Sequence, residues 1–209
     1  MKYIVFGLGN FGKALSIRLT ELGHEVIGVD NSMAKVEKLK ALITHTVVMD
    51  STDVDAVSAL PLKDCDGAIV AIGEDEASSL MTTALLKQLG VKRIIGRVVS
   101  ELQELVLEAM EIAEYIRPET ESALRLAMRL DNVSIVDSFK ISDKYSIVET
   151  IVPNKYVGMT LEEANFTNEY KIIVLTTIKS TEKTIGNRIK KHREVTGTAK
   201  STTRLEAGD

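Results

Sequence analysis

Gly7, Gly9 and Gly12 stand in the run Gly7-Leu8-Gly9-Asn10-Phe11-Gly12, a GxGxxG spacing whose chemistry is the close approach of backbone to phosphate. Glycine-rich turns are common, so the spacing counts only through its surroundings. It follows the apolar run 2–6 directly and opens a segment with helical spacing through Leu15 and Leu19. In that setting Gly7 makes the tight turn, Gly9 admits a pyrophosphate, and Gly12 lets helix and strand pack closely. The next apolar run ends in Asp30, eighteen positions after Gly12, where a carboxylate can accept hydrogen bonds from both hydroxyls of a ribose. The competing explanation is structural: glycines that only shape a turn, with Asp30 capping a helix that begins near Ser32.

Two more loops are expected at the same edge, Asp50-Ser51-Thr52-Asp53 and Ala71-Ile72-Gly73-Glu74. Their residues either line an adenosine pocket or cap the helices after them. The expected binding set is Gly7, Leu8, Gly9, Asn10, Phe11, Gly12, Asp30, Asn31, Lys35, Asp50, Ser51, Thr52, Ala71, Ile72, Gly73 and Glu74.

No catalytic residue is expected. A dehydrogenase needs a group that moves a proton beside its cofactor, whereas His24 and His45 precede strands and His192 lies in a polar tail. No CxxC pair, HExxH helix, GxSxG elbow or GxxxxGK[ST] loop is present in the sequence. The expectation is a nucleotide bound without being transformed. The alternatives are a small NAD(P)-dependent oxidoreductase and a ligand-sensing module acting on some other transporter.

The elements that must position these residues follow an α/β pattern. Short β-branched runs at 2–6, 26–30, 45–49, 67–72, 92–97 and 113–116 alternate with amphipathic stretches, which predicts a doubly wound parallel sheet. Pro118 opens a helix expected to reach about Leu130, with Glu119 and Glu121 in its first turn. Strands are predicted at 135–141, 145–152 and 170–178, and a short helix at 160–165 with Thr160 and Glu163 at capping-box spacing. The polar segment 180–209 predicts a mobile arm or an incomplete subdomain. Two domains are therefore expected: 1–131, doubly wound, and 133–209, a smaller α+β domain that is incomplete.

Composition narrows the partners. The 209 residues are 44% hydrophobic and 27% charged, as in ordinary globular proteins. A net charge of -4 from 26 basic and 30 acidic side chains argues against nucleic acid. No apolar run reaches the length of a membrane span, so a cytoplasmic protein is expected. Cys65 has no cysteine partner in the chain and reads as a packed small side chain.

The residues resemble the RCK (regulator of potassium conductance) proteins of the Ktr and Trk uptake systems, also called KTN domains. The resemblance is carried by 1–12, by Leu22-Gly23-His24-Glu25-Val26 leading to Val29-Asp30, and by Asp66-Gly67-Ala68-Ile69-Val70-Ala71-Ile72-Gly73. Tyr115-Ile116-Arg117-Pro118-Glu119 looks like the family's entry to the helix that crosses to a neighbouring subunit, and 155–161 with 170–175 is similar to the small C-terminal RCK subdomain. The resemblance implies a cytosolic gating subunit, TrkA/KtrA-like, that dimerises, assembles into an octameric ring, and docks on a potassium-translocating membrane subunit at the inner face of the membrane.

It further implies NAD(H) or ATP/ADP as ligand. Arg97 matches a basic residue that many relatives direct toward the phosphates; its competing role is a surface ion pair. Glu119 matches a carboxylate that helps hold a cation at the dimer interface in some Ktr subunits, although a carboxylate in a first helical turn needs no metal to explain it. Many Ktr relatives carry arginine where this chain has Asn10, which removes one expected contact to a γ-phosphate. Relatives also continue past a pair like Gly208-Asp209 into a closing strand.

Overall fold

A computed structural model describes residues 1–131, 134–142, 144–185 and 188–208, with backbone alone over 180–192. It divides into two compact units, Met1–Ser122 and Ala123–Asp209. The domain boundary expected at 131–133 falls on Asn132 and Val133, outside the described residues.

In the first unit, β1 (Lys2–Phe6), β2 (Glu25–Asp30), β3 (His45–Val48), β4 (Gly67–Val70), β5 (Ile94–Arg97) and β6 (Glu114–Ile116) form one sheet. Among the described residues its order is β3-β2-β1-β4-β5-β6, every pair parallel. Parallel neighbours need crossovers, and helices supply most of them: α1 (Asn10–Glu21), α2 (Met33–Leu39), α3 (Val54–Ser58), α4 (Glu76–Gln88) and α5 (Glu101–Ala109). The chain moves outward from β1 in one direction through β2 and β3, then returns to place β4 on the other side of β1. The doubly wound expectation is met.

The strands alternate between two cores. Ile4 and Phe6 of β1 enter a cluster with Val57, Leu86 and Leu107 from α3, α4 and α5. Val5, between them, enters a second cluster with Val36 and Leu39 of α2, against which Leu15 and Leu19 of α1 pack. Burial on both faces explains why these strands read as unbroken apolar runs, and each fully buried aliphatic side chain contributes about 1.5–3 kcal/mol. Gly28 of β2 makes room on the second face: a Cβ there would come within 2.7 Å of Ile43 and 3.0 Å of Leu8. Cys65 packs against the first core, its thiol donating to the Leu62 carbonyl at 3.0 Å, and burial pushes its pKa up.

α6 (Pro118–Asp131) starts where Pro118 predicts and carries no buried residue among those described. Leu124, Leu126 and Leu130 are exposed along it.

Within the second unit, β7 (Ile135–Lys140) and β8 (Ser146–Thr150) pair antiparallel, as their sequences suggest. The capping box is formed: Thr160 Oγ1 accepts the Glu163 N–H at 3.2 Å and Glu163 accepts the Thr160 N–H at 2.7 Å, starting α7 (Leu161–Ala164). The strand predicted at 170–178 is not there. α8 (Phe166–Tyr170) ends at Lys171, whose φ of 59° is left-handed, and the apolar side chains of Ile172, Ile173 and Leu175 stay exposed. β-propensity makes a strand only where a neighbour supplies a ladder, and this run makes isolated bonds such as Ala199 N–H to Leu175 O at 2.9 Å.

Pairing begins later, between β9 (Ile178–Ile185) and β10 (Arg188–Val195), largely in the stretch expected to be a mobile arm or an incomplete subdomain. Its polar composition hid it, because an antiparallel ladder is closed by backbone groups that carry no hydropathy signal. After the hairpin the chain returns to 158–162, where Leu205 N–H donates to Met159 O at 2.9 Å and Gly158 N–H donates to Leu205 O at 2.8 Å. Leu205 and Ala164 are both buried.

Candidate functional site

The carboxyl ends of β1, β2, β4 and β5 open on a cleft of about 640 Å³ in the first unit. Its position is the one where strand order reverses, which in open α/β sheets is where ligands bind. The floor is the glycine loop. Gly7 has φ of 92° and donates its N–H to Val29 O at 2.8 Å; a side chain there would meet the Ile72 backbone at 3.0 Å. A Cβ on Gly12 would collide with the Gly7 carbonyl oxygen, so this glycine is what allows α1 to start so close to β1. Gly9 differs from both: a Cβ there would have no atom within 4 Å and would enter the open cleft.

Gly9 is also the N-cap of α1, and no side chain caps that end or places a carboxylate in its first turn. The helix therefore presents its N-terminal amides and the positive end of its dipole to the cleft. α3, α4 and α5 are closed differently, by the side chains of Asp53, Asp75 and Ser100.

Asp30 closes one side. It is 7% exposed, and its Oδ2 accepts the Leu8 N–H at 2.7 Å while Oδ1 accepts the Ser32 N–H at 2.9 Å. Lys35 Nζ stands 3.6 Å from Oδ2. A carboxylate offers about four lone-pair directions, so both oxygens retain capacity for a ligand's hydroxyls. Beside it, Asp50 Oδ1 accepts from the Thr52 backbone at 2.9 Å and hydroxyl at 2.7 Å, and those two bonds hold the Asp50 carboxyl below its usual range. Ser51 is tied to α4 through Thr82, whose hydroxyl donates to Ser51 Oγ at 2.9 Å.

Arg97 closes the other side. Its guanidinium lies against Gly73, where any Cβ would run into it, with its Cζ 5.8 Å from the centroid of the Phe11 ring. Nη1 donates to Ala71 O at 3.3 Å and Nη2 is ion-paired with Glu119. Nε is buried and has no hydrogen-bond partner among the described residues.

Most of the expected residues meet here: Gly7, Gly9, Asn10, Phe11, Asp30, Asn31, Lys35, Asp50, Ser51, Ala71, Ile72, Gly73, Glu74 and Arg97 line the cleft. Leu8, Gly12 and Thr52 do not. The Leu8 side chain goes into the core beneath the loop, Gly12 supports the loop from behind, and Thr52 folds back on Asp50. Glu119 lines the cleft with Pro118 and Ser122, and within the chain it pairs with Arg97. Among the described residues no three His, Cys, Asp or Glu side chains gather as a metal site. Asp75 and Ser78 also line the cleft and were missed; their signal was the N-cap spacing directly after Gly73.

Residues 3–118 match the TrkA-N domain family. The chain belongs to that family. It is 32% identical to the Ktr system potassium uptake protein C of Bacillus subtilis over 83% of this chain and 79% of that protein. It is 30% identical to the Ktr system potassium uptake protein A of the same organism, over 83% of this chain and 78% of the relative. Among solved structures, the GsuK channel bound to NAD superposes with a TM-score of 0.63 at 14% identity, over 98% of this chain and 35% of the channel. A TrkA-N domain of the inner membrane protein ybaL from Escherichia coli gives 0.56 at 16% identity, over 63% of this chain and 96% of that one. These likenesses agree with the TrkA-N fold already described. No helix among the described residues is long and apolar enough to cross a membrane.

Proposed function

We propose that this chain is a cytoplasmic regulatory subunit of a potassium-uptake system, and that it binds an adenine nucleotide in the cleft without transforming it. The observation that carries the reading is the contrast among the glycines. Gly7 and Gly12 are required by backbone packing, whereas Gly9 leaves open space above an uncapped helix N-terminus, with the Asp30 acceptor at one end and the Arg97 cation at the other. A ribose suits Asp30, the amides of α1 suit the inner phosphate, and Arg97 suits charge farther out. Either ATP/ADP or NAD(H) satisfies that order.

The relatives' role in potassium uptake supplies the partner, a potassium-translocating membrane subunit. Bound nucleotide controls such a partner only through different affinities for two conformations of the assembly. The exposed leucines of α6 support a homodimer built across that helix and a ring built from dimers. A cation shared at that dimer interface belongs to the same proposal, with Glu119 as one ligand.

The test is potassium uptake in cells lacking other uptake systems, with the membrane subunit expressed alone, with this chain, or with its Gly9→Val form. The chain should change the uptake rate and Gly9→Val should abolish the nucleotide-dependent part. Uptake indifferent to the chain, or substrate-dependent turnover of NADH by the purified protein, would overturn the reading.

A further inference from the structure

The ion pair across the mouth of the cleft has the form of an occupied phosphate site. Arg97 rises from the end of β5 and Asp30 from the end of β2, three positions apart in the sheet order, or about 14 Å at the usual strand spacing. The β1 loop, with the amides of α1, lies between them. A nucleotide whose ribose sits on Asp30 therefore meets the α1 amides with its first phosphate and approaches Arg97 with its second. The anion on Arg97 in the structure is the Glu119 carboxylate.

The two partners are unequal. The Arg97 side chain is only 15% exposed, its Nε has no partner among the described residues, and Gly73 holds no side chain that could keep the guanidinium off the loop. Glu119 is 62% exposed and stands in the first turn of α6, where a carboxylate is stabilised by the helix dipole whether or not it touches an arginine. Breaking the pair thus costs Glu119 little, since it returns to water beside a favourable helix end. Arg97 is far more constrained, because a buried guanidinium needs an anion.

We infer that Glu119 is an internal competitor for the outer phosphate: it neutralises Arg97 in the ligand-free chain and is displaced when a second phosphate arrives. The inference rests on the proposed nucleotide site and adds a selectivity rule to it. A phosphate carries more charge and offers more acceptor oxygens to the fork of the guanidinium than a carboxylate does, so ligands with two or more phosphates win the exchange. A single phosphate held over α1 leaves the pair intact. The same exchange changes what the first turn of α6 is bonded to, so the arrival of a second phosphate in the cleft is reported at the start of the exposed helix.

Calorimetric titration of the full chain with AMP and ADP, in buffer stripped of divalent cations by a chelator, tests this with wild type, Glu119→Gln, Arg97→Ala and the double variant. Glu119→Gln removes the competing charge and should tighten ADP about three- to tenfold while leaving AMP within about twofold. In the Arg97→Ala background the same change should give no ADP gain. Equal gains for AMP and ADP, a loss of ADP affinity in Glu119→Gln, or a gain that persists without Arg97 would each overturn the competition. Wild-type chain that binds neither nucleotide would overturn the proposed site itself, a different result from a site that binds both but ignores Glu119. Circular dichroism melts of the four proteins identify any loss of affinity that comes from unfolding.

Discussion

The Asp30 carboxylate accepts the backbone N–H of Leu8 at 2.7 Å, tying the end of β2 to the middle of the glycine loop twenty-two residues earlier in the chain. With the Ser32 N–H on its other oxygen, Asp30 shapes the cleft as well as facing it. Asp30→Ala would leave the buried Leu8 N–H without its acceptor, at a cost of about 1–3 kcal/mol in stability. The unfolding free energy from chemical denaturation should fall by that amount, and nucleotide binding by the folded protein should be lost. Unchanged stability would mean that the loop holds its shape without the carboxylate.

Gly9 and Gly12 should separate binding from folding. Gly9→Val projects its side chain into open space and should abolish nucleotide binding at nearly unchanged melting temperature. Gly12→Ala drives a Cβ into the Gly7 carbonyl and should destabilise the fold by at least about 1–3 kcal/mol. A folded Gly9→Val protein with full affinity in calorimetry would remove the glycine loop from the site.

The parallel sheet, its six strands and the loop were legible because parallel strands buried on both faces leave long apolar runs, and because a glycine spacing between strand and helix has few physical explanations; the order of the strands came from the structure. The second unit was less legible. Its β9–β10 ladder is made by backbone pairing of two mostly polar segments, 178–185 and 188–195, while the more apolar stretch Ile172-Ile173-Val174-Leu175 lies outside any ladder among the described residues. At the site, single-residue chemistry was readable and pairing was not. Arg97 and Glu119 are separated by β6 and α5, and only the return of the chain beside β5 brings them together.

The capping box gives the second unit a pH signature. The Thr160 backbone N–H, and then its hydroxyl, hold the Glu163 carboxyl below its ordinary value of 4.5. A depressed carboxylate contributes stability that is fully present above its unfolded value and lost as pH falls through the folded one. Wild type should therefore melt above Glu163→Ala at pH 7, with the difference shrinking progressively as pH falls below the ordinary carboxyl value of 4.5. A difference that does not shrink at all as pH falls would assign the effect to packing and not to the charged cap.

Assembly should depend on the exposed face of α6. Leu126 and Leu130 lie one helical turn apart and are 52% and 74% exposed, which is a poor arrangement for an isolated helix in water. Light scattering at micromolar concentration should find dimers or larger rings for the wild type. Leu126→Glu combined with Leu130→Glu should shift the population toward monomer, with the far-ultraviolet spectrum retained. A wild type that stays monomeric at every concentration would contradict the proposed assembly.

Ligand choice should depend on Asp30 and Asn10 together. Asp30 is buried, and both of its oxygens already accept backbone N–H groups, so it is fixed where a ribose hydroxyl would meet it. A 2′-phosphate at that place would set two anions against each other in a poorly solvated corner. Lys35, 3.6 Å from Asp30 and partly exposed, compensates for only part of that repulsion. NADPH should therefore bind at least about tenfold more weakly than NADH. At the other end, Asn10 is exposed on the glycine loop and carries no charge for a γ-phosphate, so ATP and ADP should differ little. Titrating ATP, ADP, NADH, NAD and NADPH into one preparation measures all of these. A preference for NADPH would refute the role given to Asp30. A large ATP preference surviving Arg97→Ala would mean that a cation outside this cleft, from a second subunit or a bound metal ion, reads the third phosphate.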